Sequence, residues 1–412
     1  MDLNERVIFR AGTLADVRKG ELLRDYAIIV ENERVTAVEP YSPAKHEESD
    51  AKLVDLSDHL VAPGLIDLHT HMIGNLQEGS YMPFLTKSAA WSVLEGVKNA
   101  ATTLRAGFTT VRELGTFRAW VDCDLRNAIN SGIVIGPRIF AAGGYVTCSS
   151  GGGEITDLAV DIELPREFRI GVADSVDEVR KAVRTLLHGG SDLIKVIATG
   201  AGYAAGTVPG APEYTEAEIR AAVEEAAAYG KYVAAHAHGT EGALRAVRAG
   251  VRTLDHGSLI EGPEIFDAML ERGTYYVPTT YLIHWVDDQR ASAAFPEEVK
   301  RKISEARGPS MRALQTAIEA GVKLAYGTDA IIFPHGENAR QFQDFIDAGM
   351  SPMETLRTAT INAADAIGTP DVGVIETGRF ADLVAIKGLQ DLGDMSAFND
   401  IDLVFKSGSL VQ

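Results

Sequence analysis

The stretch VAPGLIDLHTHMIGNL at residues 61–76 contains a short apolar strand that ends in two histidines, His69 and His71. Successive side chains of a strand point to opposite faces, so residues two positions apart point the same way. The imidazoles of His69 and His71 can therefore reach a single divalent metal ion. Alone, this pair is weak evidence, because a histidine at a strand end is often an ordinary core residue.

Apolar strands alternate with alanine-rich amphipathic segments from residue 61 to about residue 360. This is the pattern of a parallel sheet built from βα units. Eight strands are predicted, at 64–69, 109–112, 138–142, 193–198, 232–236, 253–256, 275–278 and 323–327. Helices are predicted at 91–106, 176–187, 216–229, 242–249 and 309–320. Eight strands of this kind favour a closed barrel.

The two ends of the chain predict a different kind of structure. Alternating runs at 27–30 and 35–38 flank ENER at 31–34, which is typical of a hairpin, and short strands return at 382–386 and 403–407. We therefore predict an α/β protein with a distorted (β/α)8 TIM barrel at 61–365. Residues 1–60 and 366–412 are predicted to build one composite β-sandwich beside it.

The composition of the 412 residues is that of an ordinary globular protein, with 46% hydrophobic and 24% charged residues. A formal net charge of −19 at pH 7 disfavours binding to nucleic acid or to anionic membranes. Cys123 and Cys148 lack a CxxC spacing, so a metal would need N and O ligands. No apolar stretch is long enough to span a membrane, and residues 1–10 do not read as a secretory signal. A cytoplasmic protein is therefore expected.

Polar residues interrupt the other predicted strands near their C-terminal ends. In a parallel barrel these ends converge on one face, where active sites lie. Separate strands would then bring N and O ligands suited to zinc or a similar ion into one pocket. Lys195 is the exception, because its ammonium would repel a metal and its burial demands a neutral amine or a modification. The residues are Lys195, His236 and His238 in VAAHAHG, His256 in TLDHGS, and Asp329 in AYGTDA.

Taken together, these motifs resemble the amidohydrolase superfamily. The resemblance rests on HTH after PGLID, the strand lysine, HAHG, DHGS and GTDA. More narrowly, AGFTTVR at 106–112 and GTDAIIFPHGENARQF at 327–342 look like the metal-dependent Xaa-Pro dipeptidase and carboxypeptidase branch. Ochratoxin-hydrolysing and phenylurea-hydrolysing enzymes resemble that branch as well.

The resemblance implies a binuclear centre of two divalent ions, with zinc as the expected metal. Lys195 would be carboxylated by CO2 and would bridge the two ions, which removes the difficulty of a cation beside them. The more buried ion would be held by His69, His71 and Asp329, and the more exposed one by His236 and His256.

Two residues receive catalytic roles from the same resemblance. Asp329 would take the proton from a metal-bridging hydroxide as it attacks the amide carbonyl, and would then pass it to the departing nitrogen. His238 would bind the substrate carbonyl or the oxyanion. The opposite assignment, with His238 as the ligand and His236 behind it, stays open because the sequence does not fix the end of the strand.

The loops expected to contact the substrate depart from the family pattern. Peptidase-like members carry a GGHCD-like segment after the third strand and a GGV-type turn after the lysine strand. In their places stand VTCSSGGGE at 146–154 and TGAGYAAG at 199–206. Tyr81, Arg112 and Tyr203 are candidates for substrate contact, because a hydroxyl or guanidinium can bind a carboxylate or carbonyl. Each could instead be structural, with Arg112 paired to an acidic neighbour such as Glu113.

The expected activity is hydrolysis of a C–N bond in a small amide, with a dipeptide or an N-acyl amino acid as the leading substrate class. Hydrolysis of carbamates, phenylureas or aryl amides, including xenobiotics, is the alternative. A non-enzymatic scaffold would have lost metal ligands, whereas all six expected positions are retained here. The resemblance also favours a homo-oligomer. The expected binding partner is a small-molecule substrate.

Overall fold

The computed structural model describes residues 6–47, 49–76, 82–156, 158–159, 161–204, 206–287 and 295–411. The chain divides into two compact units. The first comprises Met1–Asp67, Ala101–Thr110 and Gly336–Gln412, and the second comprises Leu68–Ala100 and Val111–His335.

The strands of the described part of the chain form three sheets. They are β1 Val7–Asp16, β2 Glu21–Glu31, β3 Arg34–Pro40, β4 Lys52–Pro63, β5 Leu65–Thr70, β6 Phe108–Glu113, β7 Arg138–Ala141, β8 Tyr145–Val146, β9 Ile194–Ile197, β10 Val233–Gly239, β11 Thr253–Leu259, β12 Tyr275–Val277, β13 Leu383–Lys387, β14 Leu403–Lys406 and β15 Ser409–Leu410.

Both ends of the chain contribute to one sheet in the first unit. Its seven strands follow the order β15-β14-β13-β4-β1-β2-β3. The pairing is antiparallel except between β1 and β4, which run parallel. Apolar side chains from the two ends pack together, as in the edge-to-face contact of Phe9 with Phe405 at 4.8 Å between ring centroids. Burial of these apolar side chains, which are mostly aliphatic, helps to hold the two ends of the chain in one sheet.

The second unit contains a parallel sheet of five strands in the order β12-β11-β10-β9-β8. Side chains of β9 are buried on both faces, which explains why every residue of this strand except Lys195 is apolar. A three-stranded sheet has the order β5-β6-β7.

Backbone hydrogen bonds connect the two smaller sheets at both ends. Asp192, just before β9, donates its N–H to the carbonyl of Ala141 in β7 at 2.7 Å. The predicted strand 323–327 is not regular, yet Tyr276 donates to Lys323 at 2.8 Å and Leu68 donates to Tyr326 at 2.9 Å. This segment therefore lies between β12 and β5.

Helices lie between most strands of the second unit, as the sequence predicts. Thr215 begins one of them with a capping box, in which its side chain and that of Glu218 satisfy each other's backbone N–H groups. The helix predicted at 309–320 is longer than expected, because it starts after Pro296 and continues through Pro309. The described α-helices are Pro43–His46, Met82–Thr86, Ala89–Arg105, Val121–Asn130, Val176–His188, Glu216–Ala228, Thr240–Ala249, Pro263–Arg272, Tyr281–Asp287, Glu297–Ala320, Phe342–Asp347, Pro352–Thr358 and Ile361–Ile367.

None of these described helices combines the length and the apolar character needed to cross a bilayer.

Candidate metal centre

Three predicted ligands meet where β5 ends and the 323–327 segment ends. His69, His71 and Asp329 each offer one ligand atom, and these atoms lie within 4.8 Å of one another. The Nε2 atoms of His69 and His71 are 3.6 and 3.4 Å from Asp329 Oδ1. Two imidazoles and a carboxylate at these separations are a donor set suited to a divalent ion.

The hydrogen bond of His71 prepares its Nε2 atom for metal binding. Its Nδ1 lies 2.8 Å from the carbonyl oxygen of Gly115. A carbonyl only accepts hydrogen bonds, so Nδ1 carries the proton and Nε2 keeps a free electron pair. That pair is on the side of the ring that faces Asp329. A hydrogen bond from the ring nitrogen that does not bind the metal commonly orients metal-binding histidines.

The backbone at Asp329 is held in an uncommon conformation. Its φ is +63°, and its N–H donates to the carbonyl of His69 at 2.6 Å. Gly327 packs so closely that a Cβ there would lie 2.4 Å from Val277 Cγ1 and 2.9 Å from the Cβ of His69. Left-handed backbone at a non-glycine residue is concentrated at functional sites. The glycine of GTDA thus allows the aspartate to approach the histidine pair.

A second pair of histidines lies beside the first group. The ring centroids of His236 and His256 are 4.4 Å apart, and His256 is 4.5 Å from His69. His256 Nδ1 bonds Thr279 Oγ1 at 2.9 Å, and His256 also has a positive φ of 73°. Both residues come from neighbouring parallel strands, β10 and β11.

His236 provides the test of whether a metal fits this second position. The backbone of Gly200 hydrogen-bonds its ring, whereas its buried Nε2 atom has no partner among the described residues. A buried nitrogen without a partner costs free energy unless something else binds it. The free electron pair of His236, with the imidazole of His256 and the side chain of Lys195 nearby, fits a metal ligand.

Burial keeps the clustered imidazoles neutral. Desolvation lowers the pKa values of His69, His236 and His256 well below their usual range. Neutral imidazole is the form that binds a metal. These three imidazoles therefore have the protonation state that metal binding requires.

Lys195 is almost completely buried and borders the cavity. Its Nζ donates to Asp255 Oδ2 at 3.1 Å, and desolvation lowers the pKa of the ammonium. Asp255 is itself buried and lies on β11 one residue before His256. The sequence-based reasoning missed Asp255, although the TLDHGS motif contains it.

Arg112 lies beneath the cluster and does not line the cavity, so its placement differs from the expected substrate contact. The guanidinium is fully buried and donates to Asp255 Oδ1 at 2.8 Å, to Thr253 Oγ1 at 2.9 Å and to the carbonyl of Leu68 at 2.5 Å. These bonds use N–H donors on all three nitrogens of the guanidinium, Nε, Nη1 and Nη2. Arg112 therefore positions Asp255, which agrees with the structural alternative, although its acidic partner is Asp255 and not Glu113.

Glu113 is a buried carboxyl that supports the histidine pair from behind. Its Oε2 accepts a short hydrogen bond from the N–H of Met72, and its Oε1 lies 3.6 Å from His71 Nδ1. Desolvation raises its pKa well above the usual range. His335 hydrogen-bonds the carbonyl of His71 at 3.2 Å through its Nε2, which connects the loop after Asp329 to the histidine pair.

His238 lies at the wall of the cavity, two residues beyond His236 on the same strand. Its Nδ1 is 2.7 Å from Ser258 Oγ, and its ring stacks on that of His256 at 4.9 Å. Burial lowers the pKa of His238 to about 4. His236 is the deeper of the two and has the unpartnered Nε2, which favours His236 as ligand and His238 as the residue that faces the substrate.

A cavity of about 140 Å³ opens beside the cluster. Tyr203 lines it and donates its hydroxyl to the carbonyl of Leu76 at 3.2 Å, so it remains a candidate for substrate contact. Tyr81, the remaining candidate, lies outside the described residues. Sequence reasoning missed Tyr145 and Lys302, which also line the cavity. The apolar part of the wall includes Ile73, Leu76, Phe84, Phe117, Leu282, Ile283, Ile303, Ile331 and Ile332.

Comparison with known families agrees with this arrangement. The model of the amidohydrolase family matches residues 60–411, which include every residue of the cluster. The chain belongs to the amidohydrolase family. The resemblance that the HTH, HAHG, DHGS and GTDA motifs suggest is thus confirmed.

Relatives and solved structures support the narrower branch as well. Ochratoxinase from Aspergillus niger is 30% identical over 95% of this chain and 84% of its own length. The crystal structure of a Xaa-Pro dipeptidase with bound methionine in the active site is 33% identical, with a TM-score of 0.91 over 98% of this chain and 99% of that one. A prolidase complexed with N-methylphosphonate-L-proline is 29% identical, with a TM-score of 0.89 over the same shares of the two chains.

Proposed function

We propose that this amidohydrolase binds two divalent metal ions, expected to be zinc, and cleaves the C–N bond of a small amide. The observation that carries the proposal is the convergence of five ligand-type side chains and Lys195 at one cavity. His69, His71 and Asp329 would hold one ion, and His236 and His256 the other. Bound divalent ions of this kind lower the pKa of water and polarise a carbonyl group.

Lys195 would become the shared ligand by reacting with CO2. The neutral amine adds to the carbon of CO2 and releases one proton, which leaves a carbamate anion on Nζ. Burial favours the neutral amine because it lowers the pKa of Lys195. The single N–H that remains after carboxylation could still donate to Asp255, which is 3.1 Å from Nζ.

Asp329 and His238 would carry out the proton transfers and the binding of the carbonyl. The carboxylate of Asp329 faces both imidazoles of the first group, where it can accept a proton from the attacking water and return it to the departing nitrogen. With the hydroxyl of Ser258 donating to Nδ1 of His238, the Nε2–H of that ring becomes a donor to the carbonyl oxygen.

The architecture proposed for this function is a distorted (β/α)8 barrel at 61–365 with a composite β-sandwich from 1–60 and 366–412. The hydrogen bonds that join β7 to Asp192 and the 323–327 segment to both β12 and β5 support a closed ring of strands. The seven-stranded sheet, which takes strands from both ends of the chain, supports the composite domain. A cytoplasmic homo-oligomer stays a prediction from the sequence.

The leading substrate class is a dipeptide or an N-acyl amino acid. Two of the similar structures hold an amino acid or a proline derivative, methionine in one and N-methylphosphonate-L-proline in the other. The apolar wall of the cavity suits a hydrophobic side chain of such a substrate. Carbamates and phenylureas remain the alternative class.

The test is amide turnover by metal-depleted and zinc-loaded protein on panels of Xaa-Pro dipeptides, N-acyl amino acids, aryl carbamates and phenylureas. We expect zinc to restore turnover of the first two panels. Asp329→Asn should lower kcat about 10³-fold, because general acid–base catalysis contributes roughly 10² to 10⁴. Asp267→Asn, an exposed carboxylate on the helix Pro263–Arg272, is the matched control and should change little. Turnover that survives both metal removal and Asp329→Asn would refute the proposal.

A further inference from the structure

Lys302 is a buried cation in the wall of the cavity. It belongs to the helix Glu297–Ala320, and only 7% of its side chain is exposed. Lysine is seldom buried to this degree, because desolvation of an ammonium is costly unless partners compensate for it. Its position therefore calls for an explanation.

Its described partners account for two of its three N–H donors. Nζ donates to the carbonyl of Ala204 at 3.1 Å and lies 2.7 Å from Glu298 Oε1. Half of the Glu298 side chain is exposed, so water weakens its compensation of the buried charge. One donor of the ammonium is left for a further acceptor.

The surroundings of Lys302 are apolar. Ile303 and Ala306 of the same helix and Ile283 of the preceding one line the same cavity. Outside the metal cluster, Lys302 is the one lysine, arginine, aspartate or glutamate among the described residues that line the cavity. A cation with few polar neighbours attracts an anion more strongly than one in water.

We propose that Lys302 binds the free carboxylate of the substrate. This inference rests on the proposed function and narrows it. The substrate would be an N-acyl amino acid or a dipeptide with a free α-carboxylate and an apolar side chain. Carbamates and phenylureas without a carboxylate would leave the third donor of Lys302 unused.

The alternative is that Lys302 has only a structural role, in which its hydrogen bond to the carbonyl of Ala204 connects its helix to that loop. Two substrates with the same scissile bond distinguish the two roles: N-acetyl-L-leucine and N-acetyl-L-leucinamide. A carboxylate subsite discriminates between them, whereas a purely structural residue affects both equally.

The experiment measures kcat and KM of the zinc-loaded enzyme on both substrates for wild type, Lys302→Met and Lys302→Arg. Lys302→Met should raise KM for N-acetyl-L-leucine roughly 10- to 100-fold, the range for loss of one charged hydrogen bond, and should leave KM for the leucinamide within about twofold. Lys302→Arg should restore part of the difference. Lys300→Met is the matched control, since Lys300 is on the same helix, pairs with Glu297 and does not line the cavity.

Glu298→Gln tests the same subsite with Lys302 still present, and it should strengthen the binding of the substrate carboxylate. Without the competing carboxylate, KM for N-acetyl-L-leucine should fall while KM for the leucinamide stays the same. Equal effects of Lys302→Met on both substrates, or no effect of Glu298→Gln on either, would overturn the carboxylate subsite. The melting temperature of each variant shows whether it is folded.

Calorimetric binding of N-acetyl-L-leucine separates this inference from the proposed function. If the wild type hydrolyses neither substrate, the proposed function fails for this class. Binding of N-acetyl-L-leucine that is lost in Lys302→Met and kept in Lys300→Met would still support the subsite. Equal binding by both variants, or no binding by the wild type, would overturn it.

Discussion

The two sides of the cavity are built differently. On one side, the candidate metal ligands lie at strand ends, where β9, β10 and β11 are held by parallel pairing and by buried bonds such as that of Arg112 to Asp255. On the other side, the wall consists of loops and of the helix that carries Lys302. If the proposed function is right, the difference teaches that the chemistry would rest on strand ends, whereas the choice of substrate would rest on loops and a helix that can vary without changing the metal ligands.

The largest effect on stability is expected from the buried ion pair that lies beneath the strand ends of the cavity. Arg112→Met leaves the buried Asp255 without its guanidinium partner, and breaking a buried pair in this way costs about 3–5 kcal/mol of unfolding free energy. Urea unfolding measures the change. Arg301→Met is the matched control, because the Arg301–Glu305 pair is exposed, and it should change stability little. A small loss for Arg112→Met would mean that the strand side is not rigidly supported.

A second prediction compares one residue from each side. His238→Asn should lower kcat about 100-fold, because it removes the proposed donor to the carbonyl oxygen. Tyr203→Phe should lower kcat less than about threefold, since its hydroxyl already donates to the carbonyl of Leu76. Steady-state kinetics on one N-acyl amino acid decides between them. If Tyr203→Phe had the greater effect, the loops would contribute to the chemistry and the comparison would fail.

The smallest effect is expected where two loops meet. Glu213 accepts the N–H of Gly152 at 3.0 Å, and burial raises the pKa of its carboxyl from 4.5 to about 7. Between these two pH values the folded protein keeps a proton that the unfolded chain has released, so stability falls as the pH rises through this window. Glu213→Gln keeps an acceptor for Gly152 and removes the titration.

Unfolding measured from pH 4 to pH 8 tests the role of Glu213. As the pH rises across this window, the unfolding free energy of the wild type should fall by about 2 kcal/mol more than that of Glu213→Gln. Parallel curves for the two proteins would show that the carboxyl titrates normally.

The residues predicted from strand ends lie together in the structure, whereas several residues of the loops and helices of the cavity wall were not predicted, for a physical reason. His69, His236 and His256 were predicted from the ends of β5, β10 and β11, and Asp329 from the end of the 323–327 segment, and the structure brings all four to one cavity. Asp255 escaped notice because strand residues with both faces buried lose the alternation that separates inside from outside.

The helix that carries Lys302 shows why the loop side is harder to predict. Pro309 is a usual signal for the first turn of a helix, so the prediction starts there. In the structure the helix begins at Glu297 and passes through Pro309, which brings Lys302 to the cavity wall. Tertiary packing against the apolar wall overrides the local signal.

The most direct test of the account is the zinc content of protein purified with added CO2 and bicarbonate, compared between wild type, His236→Ala and His238→Ala. The account predicts about two zinc ions per chain in the wild type and in His238→Ala, and about one in His236→Ala, with activity following occupancy of both positions. A wild type that is fully active with no bound metal, or a loss of zinc in His238→Ala but not in His236→Ala, would contradict it.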